Sequence, residues 1–372
     1  MMEMRTPQRV DVPVESVSVS AYTVPTDAPE SDGTLEWDST TIVVVEVVGG
    51  GEVGLGYTYA PAAAAMLVEQ MLVDVVAGRD AMDVRGAWLA MGRALRNAGR
   101  PGIGSMAIAA VDIALWDLKG RVLDVPLVRL LGSAHEEVPV YGSGGFTSYS
   151  LERIREQLGG WVEEGIPRVK MKTGRDPARD PVRLDAARRA IGDGAELYVD
   201  ANGALTRKQA LAWADRLAQE WNVSWFEEPV SSADLEGLRL LRDRGPGGLD
   251  IAAGEYGYVL ADFRNLLAAG AVDCLQADVT RCGGITGLLA VDGLAAAYGT
   301  DISGHCAPAA SAHALAAVQR LRHLEWFHDH VRIERMLFEG TLEPEGGYLR
   351  PDVSRAGLGL EFKHADADPF AV

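Results

Sequence analysis

The 372-residue chain contains only three cysteines, Cys274, Cys282 and Cys306. Their number is odd and their spacing shows no paired motif, so the sequence indicates neither a disulfide framework nor a zinc site. We expect buried free thiols. A chain of this length has ample material for a large core and is too long for one ordinary small domain, so we expect two domains or one barrel with a smaller partner.

Positive charge is scarce in this sequence. Lysine and arginine together number 35 against 53 aspartates and glutamates, which gives a formal net charge of −18 at pH 7. Phosphate backbones attract basic surfaces and repel acidic ones, so this balance argues against a nucleic-acid partner. A small anionic substrate is still compatible with the charge, because a bound metal ion inverts the charge of a site locally.

Long hydrophobic runs are also missing. Hydrophobic residues make up 48% of the chain, but none of their runs reaches the roughly 18 consecutive apolar residues that a membrane span needs. Residues 1–10 include Arg5, Gln8 and Arg9 and lack the apolar segment of a secretory signal. We therefore expect a cytoplasmic protein without a membrane partner.

The first part of the chain indicates strands followed by helices. Apolar and polar residues alternate from Val10 to Val19, and a β-branched run from Thr41 to Val48 ends at three glycines, which predicts strands and a turn. Helical spacing then covers residues 62–76 and 84–95. A further helix, with Ser105 as its predicted N-cap, carries apolar residues on two adjoining faces and must therefore be buried.

After Pro126 the sequence alternates between strand-like runs and helix-like segments of about a dozen residues. The eight strand candidates are Val138–Tyr141, Arg168–Lys172, Leu197–Asp200, Trp225–Glu227, Ile251–Gly254, Cys274–Ala277, Asp301–Ser303 and Leu324–Trp326. Eight consecutive strand-helix units predict a TIM barrel. The alternative is an open doubly wound sheet, which would carry a glycine-rich phosphate fingerprint at its first turn, and residues 142–145 imitate that fingerprint only weakly.

Ionisable residues mark the carboxyl ends of the strand candidates, where a TIM barrel holds its reacting groups. In chain order they are Lys170, Lys172, Asp200, Glu227, Glu255, Asp278, His305 and Glu325. Barrel strands are buried on both faces and should be apolar, so a single charged end can be explained by a side chain reaching solvent. A succession of such ends predicts an active site.

Three of these residues, Asp200, Glu227 and Glu255, recur about one strand-helix unit apart, so their carboxylates should meet at neighbouring strand ends. Hard oxygen ligands with room for water and substrate suit one Mg²⁺ ion per site, and no histidine or cysteine cluster favours a softer metal. The alternative is that each carboxylate caps the helix after it. Three carboxylates at matched positions favour the metal.

Two pairs of residues predict groups for proton transfer. Lys170 and Lys172 lie two apart on one strand and point the same way, so each is expected to lower the pKa of the other towards neutrality. Asp278 is expected to orient the imidazole of His305 and to favour its charged form. The structural alternatives are two solvated surface lysines and a histidine that belongs to the core.

Seven segments of the chain resemble mandelate racemase and the acid-sugar dehydratases of the enolase superfamily, in both order and spacing. They are Val169-Lys170-Met171-Lys172, Val199-Asp200-Ala201-Asn202, Trp225-Phe226-Glu227-Glu228-Pro229, Gly254-Glu255, Asp278 with Gly283-Gly284-Ile285-Thr286, Ser303-Gly304-His305 and Leu324-Glu325-Trp326. Residues 105–132 also resemble the helix that joins this family's capping domain to its barrel. The ordered set is far more specific than any one motif.

The resemblance implies an α/β fold, a modified TIM (β/α) barrel with an α+β N-terminal capping domain. It implies that residues 1–132 form the capping domain and residues 133–330 the barrel that carries the catalytic residues. Residues 331–372 would then pack back on the capping domain. The same resemblance implies a homo-oligomer, either a dimer or an octamer.

The resemblance also implies a mechanism. Asp200, Glu227 and Glu255 would hold Mg²⁺, which stabilises the enediolate formed when the proton next to the substrate carboxylate is removed. Lys172 would be the base on one face of the reacting carbon. His305 would be the acid or base on the other face.

Four more residues receive roles from the resemblance. Asp278 would orient His305. Lys170 and Glu325 would contact the substrate carboxylate or the enediolate, with Glu325 protonated so that it can donate a hydrogen bond. Asn202 would contact the substrate.

One intermediate leads to two reactions. If His305 returns a proton to the same carbon, the enzyme is a racemase or epimerase of a 2-hydroxy acid. If His305 protonates a hydroxyl leaving from the next carbon, a 2,3-dihydroxy acid becomes a 2-keto-3-deoxy acid, and we expect this dehydration of an acid sugar because it is widespread among relatives with this Lys/His pair. The muconate-cycloisomerase-like branch has a lysine where Asp278 stands, which argues against amino-acid racemisation and cycloisomerisation.

Two other classes of function remain as alternatives. A catalytically silent barrel that binds only a metal or a partner protein would normally lack one of the groups named above, and none is missing. A metal-dependent hydrolase would want a histidine-rich metal site. Substrate choice is expected to lie in two N-terminal loops over the barrel mouth, Tyr22–Asp38 and Leu55–Tyr59.

Overall fold

A computed structural model describes residues 11–372 and begins with an antiparallel three-stranded sheet. Its strands, in spatial order, are β1 (Ser16–Ser31), β2 (Glu36–Gly49) and β3 (Glu52–Tyr59). The hairpin between β2 and β3 turns through Gly50 and Gly51, whose φ values of 62° and 81° favour glycine. The predicted strands and turn are confirmed, but β1 begins at Ser16, and residues 1–10 lie outside the described part of the chain.

Helices of this first region pack against the sheet. They are α1 (Ala63–Leu67), a π-helical turn (Val68–Leu72), α2 (Val73–Val76), α3 (Val84–Ala94), α4 (Ile103–Val122) and α5 (Leu127–Leu131). Helix α4 is buried on nearly every side, and Gly56 of β3 lets the strand approach it, because a Cβ there would lie 2.1 Å from the carbonyl oxygen of Ala110. The predicted burial of this helix is confirmed. Its predicted N-cap is wrong, because Ser105 lies inside α4 and its hydroxyl donates to the carbonyl of Tyr258.

Eight parallel strands close into a barrel, because the last strand pairs with the first. The strands are β4 (Val138–Gly144), β5 (Arg168–Lys172), β6 (Glu196–Asp200), β7 (Val223–Glu227), β8 (Asp250–Ala253), β9 (Cys274–Ala277), β10 (Asp301–Gly304) and β11 (Leu321–Phe327). The helices between them are α6 (Leu151–Glu163), α7 (Asp180–Ile191), α8 (Arg207–Trp221), α9 (Leu235–Arg244), α10 (Leu260–Ala268), α11 (Gly284–Tyr298) and α12 (Pro308–Leu315). All eight strand candidates and the TIM barrel are confirmed.

Local sequence signals explain where the barrel helices begin and end. At α8, the Thr206 side chain accepts from the backbone N–H of Gln209, and the Gln209 side chain accepts from the backbone N–H of Thr206 at 3.0 Å, which forms a capping box. The helix ends at Asn222 in the left-handed region, a conformation that asparagine tolerates well. Ser150 and Asp234 cap α6 and α9 in the same way as Thr206.

The C-terminal segment follows the barrel with α13 (His328–Leu337), β12 (Phe338–Glu339), β13 (Tyr348–Leu349), β14 (Glu361–Phe362), α14 (His364–Ala367) and a 3-10 turn (Asp368–Phe370). It contacts the first region at several points. The N–H of Leu358 donates to Asp117 Oδ1 at 2.6 Å, and Arg121 pairs with Glu361 at 2.9 Å. The division of the chain at residues 132 and 330 stays a prediction.

Two expectations drawn from composition concern the whole fold. The three cysteines are buried and free, which confirms their assignment as core thiols. Among residues 11–372, no helix combines the length and the apolar character that crossing a bilayer requires.

A buried hydrogen-bond chain joins the first sheet to the barrel and α13. Glu334 accepts a hydrogen bond from the hydroxyl of Tyr57 at 2.6 Å and from the N–H of Ala309 at 3.1 Å, while the N–H of Ala310 donates to the Tyr57 oxygen at 3.1 Å. Burial raises the pKa of Glu334 to about 8, although the two donors favour its charged form. The folded state therefore holds this proton more tightly than the unfolded chain, and stability falls as pH rises from about 4.5 to 8.

We expect Tyr57→Phe to destabilise the fold more at pH 9 than at pH 6. The substitution removes a donor to the carboxylate of Glu334 and an acceptor for the N–H of Ala310, a loss of about 1–3 kcal/mol for a buried pair. Because the lost donor stabilised the charged carboxylate, the loss grows above the pKa. Urea unfolding at both pH values measures this, with Tyr22→Phe as a control from the same sheet. Equal losses at both pH values would contradict the prediction.

Candidate active site

The barrel brings three carboxylates together at its mouth. Asp200 ends β6, Glu227 ends β7, and Glu255 follows β8. All three are buried, and one oxygen from each lies within 4.8 Å of the others. Gly254 makes the last placement feasible, because its φ is 137° and a Cβ there would lie 2.2 Å from the carbonyl oxygen of Gln276 on β9. The structure thus brings these predicted metal ligands to one point.

Both lysines of β5 are buried and lie against these carboxylates. Lys170 Nζ lies 2.7 Å from Glu227 Oε1 and 2.8 Å from Glu325 Oε1, and Lys172 Nζ lies 2.5 Å from Asp200 Oδ2. Burial opposes the charge on each lysine, but these carboxylates raise the pKa of both above the usual lysine value. The expectation of lysine pKa values lowered towards neutrality is therefore wrong, because the contact of each ammonium with an opposite charge outweighs the repulsion between the two lysines.

The imidazole of His305 is held between two carboxylates. Its Nδ1 lies 2.7 Å from Asp278 Oδ2, and its Nε2 lies 3.0 Å from Glu255 Oε2. Asp278 is itself fixed, since its Oδ1 accepts from the N–H and the hydroxyl of Thr280, each at 2.7 Å. Burial opposes a charged imidazole, but the surrounding carboxylates raise the pKa of His305 well above its usual value. The structure thus places Asp278 where the sequence predicted it.

Glu325 lies on β11 between two cations. Its Oε1 contacts Lys170 Nζ, and its Oε2 is 3.5 Å from His305 Nε2. Burial favours the protonated acid, but the charges of Lys170 and His305 lower the pKa of Glu325 below its usual range. The expectation that Glu325 is protonated is wrong for this arrangement, because an ion pair holds its charge.

A cavity of about 570 Å³ opens beside these groups, within the range of about 300–1,000 Å³ that small-molecule sites occupy. Lys172, Asn202, Glu255 and His305 line it. In the barrel order, β4 and β11 separate β5 from β10 on one side and four strands separate them on the other. Lys172 and His305 therefore approach the cavity from different sides of the barrel mouth.

The other lining residues come largely from the first sheet. The predicted specificity segments Tyr22–Asp38 and Leu55–Tyr59 were expected as loops, and this is wrong for most of their length. They belong to β1, β2 and β3, with only a short turn between Ser31 and Glu36. Hydroxyl and aromatic side chains of these strands nevertheless line the cavity, including Trp37 and Tyr59.

Sequence reasoning missed Glu228. In a regular strand, neighbouring side chains point to opposite faces, and Glu228 directly follows Glu227. Its φ of 35° breaks the alternation, and the side chain is buried. Its Oε1 has no hydrogen-bond partner within residues 11–372, and burial together with Glu255 and Asp200 raises the pKa of Glu228 well above normal.

Arg281 was missed as well. Its Nε lies 3.5 Å from Asp278 Oδ2 and its Nη1 lies 3.7 Å from Glu255 Oε1, so one guanidinium supports two site carboxylates. Its position three residues after Asp278, in the same loop, was the available signal.

The residues present fit a magnesium ion. The donor set consists of carboxylate oxygens, which are the hard ligands that magnesium takes in proteins. Asp200, Glu227 and Glu255 supply one oxygen each within the required space, and the buried Glu228 oxygen has no partner in the described chain. Buried negative charges need compensation by positive charge, and an additional cation at this point would provide it.

Comparison with known families identifies the family of this chain. Residues 17–132 match the family model of the mandelate racemase / muconate lactonizing enzyme N-terminal domain, and residues 153–367 match the enolase C-terminal domain-like model. This chain belongs to the mandelate racemase and muconate lactonizing enzyme family. It is therefore a member of the enolase superfamily, as the sequence motifs indicated, and its class of chemistry is that of lyases and isomerases.

Three proteins are similar to this family member over nearly its whole length. A mandelate racemase/muconate lactonizing enzyme-like protein from Rubrobacter xylanophilus is 62% identical, with a TM-score of 0.95 over 97% of this chain and 100% of that one. A 3,6-anhydro-alpha-L-galactonate cycloisomerase from Streptomyces coelicolor is 34% identical over 94% of this chain and 98% of its own. An L-talarate dehydratase from Polaromonas sp. JS666, solved with Mg and L-glucarate, is 29% identical, with a TM-score of 0.87 over 97% and 98% of the two chains.

We expect Mg²⁺ to stabilise the wild-type family member and not the Asp200→Asn variant. A ligand that binds only the folded state at 100 times its Kd adds about 2.7 kcal/mol to the free energy of unfolding. Urea unfolding with 1 mM Mg²⁺ and with a chelator measures this gain, on the assumption of a Kd on the order of 10 µM. Asp193→Asn, an exposed aspartate on the surface, should keep the full gain. An equal gain in Asp200→Asn would contradict the assignment of the ligands.

Proposed function

We propose that this protein is a magnesium-dependent enzyme that removes the proton next to a substrate carboxylate and dehydrates an acid sugar. The observation that carries this proposal is the placement of Lys172 and His305 in one cavity beside the three-carboxylate cluster. A 2,3-dihydroxy acid would lose one water and become a 2-keto-3-deoxy acid. Magnesium, when held by Asp200, Glu227 and Glu255, supplies Lewis-acid stabilisation of the negative charge on the substrate carboxylate.

Lys172 is the proposed base for the proton on C2. An amine accepts a proton only in its neutral form, so Lys172 must first release its own proton to solvent, a release that its ion pair with Asp200 opposes. Asp200 is also one of the proposed metal ligands, so its negative charge would then be compensated by the magnesium ion. Lys170, fully buried between Glu227 and Glu325, is proposed to hold positive charge next to the substrate carboxylate.

His305 is the proposed acid for the departing hydroxyl. Asp278 accepts the Nδ1 proton, so the transferable proton sits on Nε2, the nitrogen that faces Glu255 and Glu325. Transfer of this proton to the C3 hydroxyl breaks the C3–O bond and releases water. The enol that remains takes up a proton at C3 and becomes the ketone. Return of a proton to C2 instead would make the enzyme an epimerase or racemase.

Cycloisomerisation of an acid sugar is a second candidate. The Streptomyces coelicolor cycloisomerase covers nearly the whole chain at 34% identity, so the sequence argument against cycloisomerisation does not set this reaction aside. The first step is the same removal of a proton next to the carboxylate. The two reactions differ in their products, because a dehydratase releases water and a cycloisomerase returns an isomer of equal mass.

A screen of acid sugars distinguishes these candidates. We expect a keto-acid product, 18 mass units below the substrate for loss of one water, in the presence of Mg²⁺ and no product with excess chelator. An isomer of unchanged mass would favour the cycloisomerase or epimerase. The cytoplasmic location and the dimeric or octameric state stay predictions.

We expect Lys172→Ala and His305→Asn each to abolish turnover and to leave the fold intact. Each variant removes one proton-transfer group, and at least one of them should still exchange the α-hydrogen in deuterated water, because the other group remains. Steady-state kinetics and proton NMR measure the two effects. The exposed residues Lys208 and His364 provide the matched controls Lys208→Ala and His364→Asn. Full activity in either site variant would overturn the assigned roles.

A further inference from the structure

Three aromatic side chains contribute to the cavity wall and are linked through Phe146 and His330. They are Trp37 of β2, Tyr59 of β3 and Phe327 at the end of β11. Phe146 packs edge-on against both Trp37, at 5.6 Å between ring centroids, and Phe327, at 5.7 Å. His330 stacks on Tyr59 at 3.4 Å and lies 5.0 Å from the ring of Phe327. We call Trp37, Tyr59 and Phe327 the aromatic wall.

The polar atoms of the aromatic wall are already occupied by the protein. The indole N–H of Trp37 donates to Glu30 Oε2 at 2.9 Å, and the hydroxyl of Tyr59 donates to the carbonyl oxygen of His330 at 3.2 Å. Burial lowers the pKa of His330 to about 3, so the ring stacked on Tyr59 is neutral at physiological pH. A ligand that touches the aromatic wall therefore contacts the faces and edges of rings. The wall has no free hydrogen-bond donor of its own.

The cations of the cavity belong to the barrel, and each has a carboxylate partner. Lys172 pairs with Asp200, while His305 and Arg281 each pair with Asp278 and Glu255. The lining residues from the first sheet fall within positions 32–41 and 59–61, and this stretch of the described chain contains acidic residues but no lysine or arginine. A ligand group on this side of the cavity meets no cation from the wall.

The turn beside the aromatic wall is held in place. A Cβ on Gly33 would lie 2.2 Å from the carbonyl oxygen of Ala201, so the turn packs directly on the chain after β6. Asp32 Oδ1 accepts from the N–H groups of Thr34, at 2.6 Å, and Leu35, at 2.7 Å. Arg175 lies beside this turn, where it is bound to Glu36 at 2.6 Å and to the Leu35 carbonyl. The turn itself carries no cation, and Arg175 already has a carboxylate partner in Glu36.

We infer that the substrate is a monocarboxylic sugar acid whose end remote from the reacting carboxylate is uncharged, and that a terminal deoxy methyl group suits the aromatic wall best. This inference rests on the proposed function, since it assumes that the reacting carboxylate lies at the floor of the cavity, near Lys170 and Lys172. A second, distal carboxylate would lose its water against apolar rings and gain no cation in return. Dicarboxylic sugar acids, such as the L-glucarate held by the Polaromonas relative, are therefore poor substrates.

The test compares sugar acids that differ only at C6. For each configuration of the six-carbon series, the 6-deoxyaldonate, the aldonate and the aldarate carry a methyl, a hydroxymethyl and a carboxylate group at that carbon. We expect kcat/KM for keto-acid formation to be highest for the methyl acid and at least 100-fold lower for the aldarate of the same configuration.

The possible results distinguish failure of the inference about the aromatic wall from failure of the proposed function. Equal or better turnover of aldarates would overturn the inference about the aromatic wall and leave the proposed chemistry intact. Turnover of no sugar acid of any type, with Mg²⁺ present, would overturn the proposed function itself.

A pair of variants tests whether the absence of positive charge beside the aromatic wall is what selects the substrate. Ser39 lines the cavity from β2 and is partly exposed, so Ser39→Lys adds a cation beside the aromatic wall and Ser39→Met adds a stem of similar length without charge. We expect the ratio of aldarate to 6-deoxyaldonate kcat/KM to rise at least ten-fold in Ser39→Lys relative to Ser39→Met. An unchanged ratio would show that charge on this wall does not select the substrate.

Discussion

Burial of several charges in one small volume is the constraint on which the rest of this structure depends. Asp200, Glu227, Glu228 and Glu255 meet at the barrel mouth, each nearly or fully excluded from solvent. Removing an ion from water costs several kcal/mol unless an opposite charge compensates it. The buried ammonium of Lys170 and the other site cations provide part of that compensation, and a divalent metal fits the remainder. Closure of the barrel, which fixes all strand ends at one rim, is what makes the grouping feasible.

The same constraint governs the groups that would move protons. No lysine or histidine of the site titrates independently, because Lys172 contacts Asp200 while His305 contacts both Asp278 and Glu255. Their affinities for protons belong to the cluster as a whole. This explains why an argument from the two lysines alone gave the wrong direction for their pKa. The repulsion between like charges is real, but the nearer carboxylates outweigh it.

Much of this architecture could be predicted from the sequence, because a parallel barrel converts linear order into position: the last residue of each strand lies at the catalytic rim. Features that depend on local backbone angles or distant partners could not. Glu228 reaches the cluster only because of its positive φ. The hydroxyl of Ser105 donates to the carbonyl of Tyr258, in a loop far away in sequence, and does not cap its own helix. The strands that line the cavity were taken for loops, because polar and acidic residues are frequent in both.

The cavity is built from two stretches of chain that fold as different layers. Its floor consists of barrel strand ends, while the hairpin of β1 and β2 contributes the turn that packs on Ala201. The side chains that line the first-sheet side of the cavity are therefore not covalent neighbours of those at the barrel strand ends. Substitutions on this hairpin can consequently change the shape and charge of one side of the cavity while every strand-end residue of the barrel stays the same.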